Sequence, residues 1–132
     1  MVASATNLLF YCCNVLIHLC KMESSLNFST KSWENFVTEH DAVLLYLHND
    51  RCGVCSVLHP QVKRLVESKF PLVELVELDA ADHRELAAQI RMMTVPGIIL
   101  YMAGREVFRA YGLVSLADLE RMILRPYRLM FN

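Results

Sequence analysis

The feature that most constrains this chain is the stretch Ala42–His48, which reads Ala-Val-Leu-Leu-Tyr-Leu-His. A strand that is apolar at nearly every position, rather than at every second one, has both of its faces covered. A helical period follows it. Val54, Leu58, Val62, Leu65 and Val66 recur at helical spacing, with Lys63, Arg64 and Glu67 on the outside. A strand buried on both faces, leading into an amphipathic helix, calls for a sheet flanked by helices. Of the 132 residues, 55% are hydrophobic and 20% charged. That suffices for one packed domain and is too apolar for a disordered chain.

The remaining elements follow from the same periods. Thr30–Thr38 reads as a helix with Trp33, Phe36 and Val37 on one face and Ser29 or Ser32 as its cap. Pro60 kinks the second helix. Leu72–Leu78 reads as a second strand. Asp82 and Glu85 resemble a capping pair for a helix ending near Ile90. Val95-Pro96-Gly97 interrupts the pattern before a strand over Ile98–Met102. Ala103-Gly104-Arg105-Glu106 reads as a hairpin turn into Val107–Tyr111. Ser115 and Asp118 open a last helix that Pro126 ends. The order α-β-α-β-α-β-β-α predicts an α/β domain over residues 26–132, with a mixed central sheet of about four strands and helices on both faces.

Residues 1–25 stand apart. The first twenty carry no Lys, Arg, Asp or Glu, and the first basic residue is Lys21. The segment lacks the positive n-region and cleavage site of a secretory signal. Asn14 and His18 break the apolar run that a membrane span needs. Three readings stand: an extension upstream of a natural start at Met22, a weak membrane anchor through residues 1–20, or a helix docked on the domain. Thirteen basic against fourteen acidic residues leave a net charge of -1. No basic excess exists to hold a phosphate backbone, which argues against a nucleic-acid partner.

The five cysteines are unevenly placed: Cys12, Cys13 and Cys20 early, then the pair Cys52-Gly53-Val54-Cys55, and none after it. A disulfide-stapled fold would spread them along the chain. A structural zinc site usually takes four ligands, often as two pairs, and no second pair follows, so no metal is expected. The pair instead asks for a redox explanation. It follows a strand and opens a helix, where unpaired N–H groups and the helix dipole stabilise a thiolate on the first cysteine. Two intervening residues put the second thiol one turn away.

With these residues in order, the sequence resembles the thioredoxin family. Four landmarks carry the resemblance: Cys52-Gly53-Val54-Cys55 after the strand, Pro60 in the helix, Thr94-Val95-Pro96, and Gly112 ahead of the last helix. It spans roughly Leu26 to Arg125. It implies a thioredoxin fold and a protein disulfide reductase with no cofactor beyond its own dithiol. Cys52 attacks the substrate disulfide, and the more buried Cys55 resolves the mixed disulfide. Pro96, implied to be cis, holds the Val95 backbone open for substrate, with Thr94 and Gly112 lining the same groove. The implied partners are protein disulfides and a thioredoxin-reductase-like electron donor. A monomer in a reducing cytoplasm is expected, with a tethered or exported enzyme and a non-catalytic redox-sensing module as alternatives.

The departures from the family concern proton handling and the surroundings of the thiols. Arg51 and His48 stand where tryptophans are common, and Val54 where proline is common. Tyr46 replaces a buried acid six residues before the first cysteine, and Glu77 a lysine that often accompanies it. Arg51, His48 and Tyr46 are therefore the candidates for tuning the thiol pKa values. Arg51 places a positive charge beside Cys52. His48 shares a strand face with Tyr46; it acts as proton acceptor or simply fills the tryptophan space. His59 reads as a helix-surface or groove residue, His40 and His83 as exposed helix ends, and Asp50 as a solvated loop residue. Met92 and Met93 either line an adaptable groove or, for one of them, pack in the core.

Overall fold

The structure, a computed structural model, describes residues 27–132. The segment 1–25, with Cys12, Cys13 and Cys20, lies outside the described residues. The described residues form four helices and four strands in the order α1 (Thr30–Glu39), β1 (Ala42–His48), α2 (Gly53–Lys69), β2 (Glu74–Asp79), α3 (Arg84–Gln89), β3 (Gly97–Met102), β4 (Arg105–Tyr111) and α4 (Leu116–Phe131). The sheet order is β2-β1-β3-β4. β1 pairs in parallel with β2 and antiparallel with β3, and β3 pairs antiparallel with β4.

β1 is central, which accounts for its unbroken apolar run: Val43 to Leu47 have no measurable exposure. Alternate residues serve opposite layers. Leu44 and Tyr46 pack with Leu58, Val62 and Leu65 of α2 and with Leu119 and Ile123 of α4. Val43, Leu45 and Leu47 pack with Trp33 and Val37 of α1 and Leu86 and Ala87 of α3. Among the described residues, no helix is long and apolar enough to cross a membrane.

Four local readings need correction. Pro126 does not end the last helix, which continues to Phe131. Tyr127, Met130 and Phe131 pack against the core, and that burial carries the helix past the proline. β2 starts at Glu74 rather than Leu72. Leu72 is 58% exposed, and a turn closed by Val73 N–H on the Phe70 carbonyl precedes the strand. The hairpin turn is only Ala103-Gly104, both at positive φ; this suits the twist of a two-residue hairpin. The Asp82–Glu85 capping pair is not made. His83 caps α3 without a side-chain cap bond, while Asp79 Oδ1 accepts the Ala81 N–H at 2.6 Å.

Candidate active site

The strand register gathers the loops at one end of the sheet. Leu47 of β1 lies opposite Gly97, so Pro96 reaches the level where β1 runs out into the cysteine loop. Gly97 lies opposite Tyr111, which brings Gly112 beside Pro96. The Gly112 N–H donates to the Pro96 carbonyl at 2.8 Å. Gly112 has φ +66°, where glycine is at ease. The Val95–Pro96 peptide bond is cis.

Cys52 and Cys55 form a disulfide, with Cα atoms 5.2 Å apart. Cys52 is the N-cap of α2, and its Sγ accepts the Cys55 N–H at 3.2 Å. The sulfur therefore sits where the helix offers unpaired donors and the positive end of its dipole. Cys55 is buried, Cys52 only partly so. The Cys52 N–H donates to the Asn49 carbonyl at 3.0 Å, closing the loop between strand and helix. Arg51 is exposed, with its backbone N–H on Asn49 Oδ1.

Beneath the disulfide lies Tyr46, fully buried, whose hydroxyl donates to the Cys55 carbonyl at 3.1 Å. Burial and then the nearby Glu77 carboxylate push its pKa up to about 12. Tyr46 thus stays a neutral donor through the neutral range. The His48 ring lies 6.2 Å from that of Tyr46, and the His59 ring 5.6 Å from it. His59 is not a free surface residue. Its Nε2 atom is buried and lies 2.7 Å from Glu77 Oε2, without the alignment of a hydrogen bond.

Around this centre, Thr94 is exposed, Val95 half-buried and Pro96 buried. Of the two methionines, Met92 is in the core and Met93 is 77% exposed. Val54, Val57 and Leu113 are exposed as well, so apolar side chains stand at the start of α2 and on both loops beside it. His40 and His83 are half-buried rather than exposed. Their Nδ1 atoms contact the Phe36 and Asp79 carbonyls, and the His40 ring stacks on Phe36 at 4.0 Å.

Three features escaped the sequence reading. One is the His59–Glu77 pair, which only the pairing of β2 with β1 brings together. The second is Arg109, whose guanidinium holds both Glu106 oxygens and the Ile90 and Arg91 carbonyls, tying β4 to the loop after α3. The third is the convergence of His48, Asp50 and Asp79, with ligand-type atoms within 4.8 Å of one another. Asp50 is exposed and Asp79 already accepts a backbone N–H, an ordinary arrangement for solvated acids.

The family model for thioredoxin matches residues 24–125. The chain belongs to the thioredoxin family. It is 35% identical over 101 residues to the thioredoxin-like protein YdfQ of Bacillus subtilis, covering 76% of this chain and 89% of that one. It is 30% identical to the thioredoxin of Chlamydia caviae, covering 72% of this chain and 91% of the relative. Among solved structures it resembles a mutant thioredoxin from Halobacterium salinarum, with TM-score 0.66 and 25% identity over 74% of this chain and 84% of the other. Family membership and the paired cysteines together support thiol–disulfide oxidoreductase chemistry in general.

Proposed function

We propose that this chain reduces protein disulfides through the Cys52/Cys55 couple. The observation that carries the reading is the disulfide at the start of α2, with one sulfur capping the helix and the other buried beneath it. In the reduced state the Cys52 thiolate attacks one sulfur of a substrate disulfide, forming a mixed disulfide and releasing the first substrate thiolate. Cys55 then attacks Cys52, the internal disulfide forms, and the second substrate thiolate leaves. The substrate gains two electrons and the protein dithiol loses two. An electron donor resembling thioredoxin reductase returns the couple to the dithiol.

In this reading the Thr94–Val95 backbone pairs with the substrate, and Val54, Met93 and Leu113 give it apolar purchase. Arg51 adds a solvent-screened positive charge to the helix terminus in favour of the Cys52 thiolate. The setting is a reducing cytoplasm. Mass measurement of the mature N-terminus separates this from the tethered alternative.

Insulin reduction driven by dithiothreitol tests the proposal. The full chain is expected to accelerate reduction at catalytic amounts, and Cys52→Ser to return it to the uncatalysed rate. A wild-type chain that binds disulfide peptides without accelerating reduction is a redox-sensing module instead.

A further inference from the structure

Resolution requires the buried Cys55 thiol to lose its proton, and burial disfavours a thiolate. Tyr46 holds the place of the family's acid, but its hydroxyl is committed as a donor to the Cys55 carbonyl and accepts no proton near neutrality. Another group has to take it.

His59 stands four residues after Cys55 on α2. Residues so spaced share a helix face, with Cβ atoms roughly 5–6 Å apart. The Tyr46 ring packs against His59 while its hydroxyl holds the Cys55 carbonyl, so one side chain anchors both ends of that helical turn. The imidazole also meets Glu77, at 2.7 Å. Glu77 is set there by the parallel register, which pairs it with Tyr46. A carboxylate behind an imidazole stabilises the imidazolium that proton capture creates, the division of labour known from nucleophile–histidine–carboxylate sets. The pair is half-buried, with side chains 36% and 31% exposed, so a proton taken from Cys55 can pass on to solvent.

We propose that His59, held by Glu77, is the proton acceptor for Cys55 in the resolving step. The inference rests on the reductase reading above. The Cys55 S–H proton passes to the neutral imidazole, directly or through one water. The electron pair left on sulfur forms the bond to Cys52 Sγ, and the bond from Cys52 to the substrate sulfur breaks. That sulfur leaves as a thiolate, and His59 returns its proton to water or to the departing thiolate. Tyr46 and Glu77 are positioning residues.

The titratable and charged groups around the imidazole are Tyr46 and His48 from β1, Glu77 and then Asp79 from β2, and Cys55 and Lys63 one turn to either side on α2. On this face β3 contributes Ile98 and Leu100, and α4 Leu119 and Ile123, all apolar. His48, with its ring 6.4 Å from that of His59, is the one rival imidazole in the cluster.

The test mixes the reduced full chain with a model peptide disulfide and stops the reaction with acid at intervals. Peptide mass spectrometry then follows the fragment holding both cysteines. Growth of the Cys52 mixed disulfide reports attack, and its conversion to the internal disulfide reports resolution. Resolution in the wild-type chain is expected to rise with pH between about 5 and 8, where histidine changes charge. His59→Gln should slow resolution about a hundredfold and flatten that rise, and Glu77→Gln should slow it about tenfold, both leaving attack within about twofold.

The isosteric Glu77→Gln and the wild-type pH profile keep the test decisive if His59→Gln does not fold. A profile without an inflection in that range overturns the inference, as do losses under about threefold in both variants. Flattening by His48→Phe instead of His59→Gln also overturns it, in favour of His48. A wild-type chain that never converts mixed disulfide to internal disulfide overturns the reductase reading itself.

Discussion

Tyr46 buries its whole ring between β1 and α2 and directs its hydroxyl at the Cys55 carbonyl. Tyr46→Phe keeps the ring and removes that bond, leaving a buried carbonyl with one partner fewer. The expected loss is about 0.5–1.5 kcal/mol, read from the urea midpoint; an unchanged midpoint would contradict the bond. Folding raises the Tyr46 pKa to about 12 from its ordinary 10.0. The folded state therefore holds the phenol proton more tightly than the unfolded state. This stabilising effect is complete below pH 10 and drains away as the pH rises toward 12. Alkaline denaturation of the wild-type chain should steepen in that window, and Tyr46→Phe should remove the Tyr46 share of it.

Gly97 shows a steric constraint of the same scale. A Cβ there would meet Met92 Sδ at 2.5 Å and the Thr94 carbonyl oxygen at 3.0 Å. Gly97→Ala should cost about 1–3 kcal/mol through overpacking, and Met92→Ala in the same chain should relieve part of it. A Gly97→Ala protein as stable as wild type would contradict the close approach. That approach was not legible in the sequence, where Gly97 is simply the residue after a proline. Cys52, Cys55 and Tyr46 were legible because strand and helix periods fix their places. The His59–Glu77 pair was not, since it needs the register of β2 against β1, which no local pattern reports.

At the scale of elements, the core segments read correctly because burial imposes their periods, while the ends depended on competition between local and tertiary terms. Pro126 illustrates this. An interior proline removes a helix hydrogen bond and costs about 3 kcal/mol or more. Here the turn beyond it brings Tyr127, Met130 and Phe131 onto the core and outweighs that cost. Pro126→Ala should therefore raise stability by about 1–3 kcal/mol with the fold intact, measured as a higher urea midpoint. A lower midpoint would mean that the kink itself seats those side chains. The loop after α3 shows the same competition. Arg91, at φ +55°, takes the left-handed position usually given to glycine. Met92 N–H on the Ala87 carbonyl and Arg91 N–H on the Ala88 carbonyl close the helix there, and the Arg109 guanidinium clamps the loop.

For the whole molecule, the topology accounts for why Pro96 and Gly112, distant in sequence, come to the same end of the sheet as the Cys52–Cys55 pair. β1 lies between β2 and β3, and the segments leaving or entering the sheet at its one end supply the site. The two thiols are unequal by construction: one caps a helix and borders solvent, the other is buried over Tyr46. On the proposed reading, that inequality makes Cys52 the attacking thiol and Cys55 the resolving one. The most direct test presents the full-length Cys55→Ser chain with a protein disulfide and maps the adduct by peptide mass spectrometry. The account predicts a stable mixed disulfide at Cys52, absent from the Cys52→Ser chain. Adducts confined to Cys12, Cys13 or Cys20, or trapped equally well at Cys55 in the Cys52→Ser chain, would contradict it.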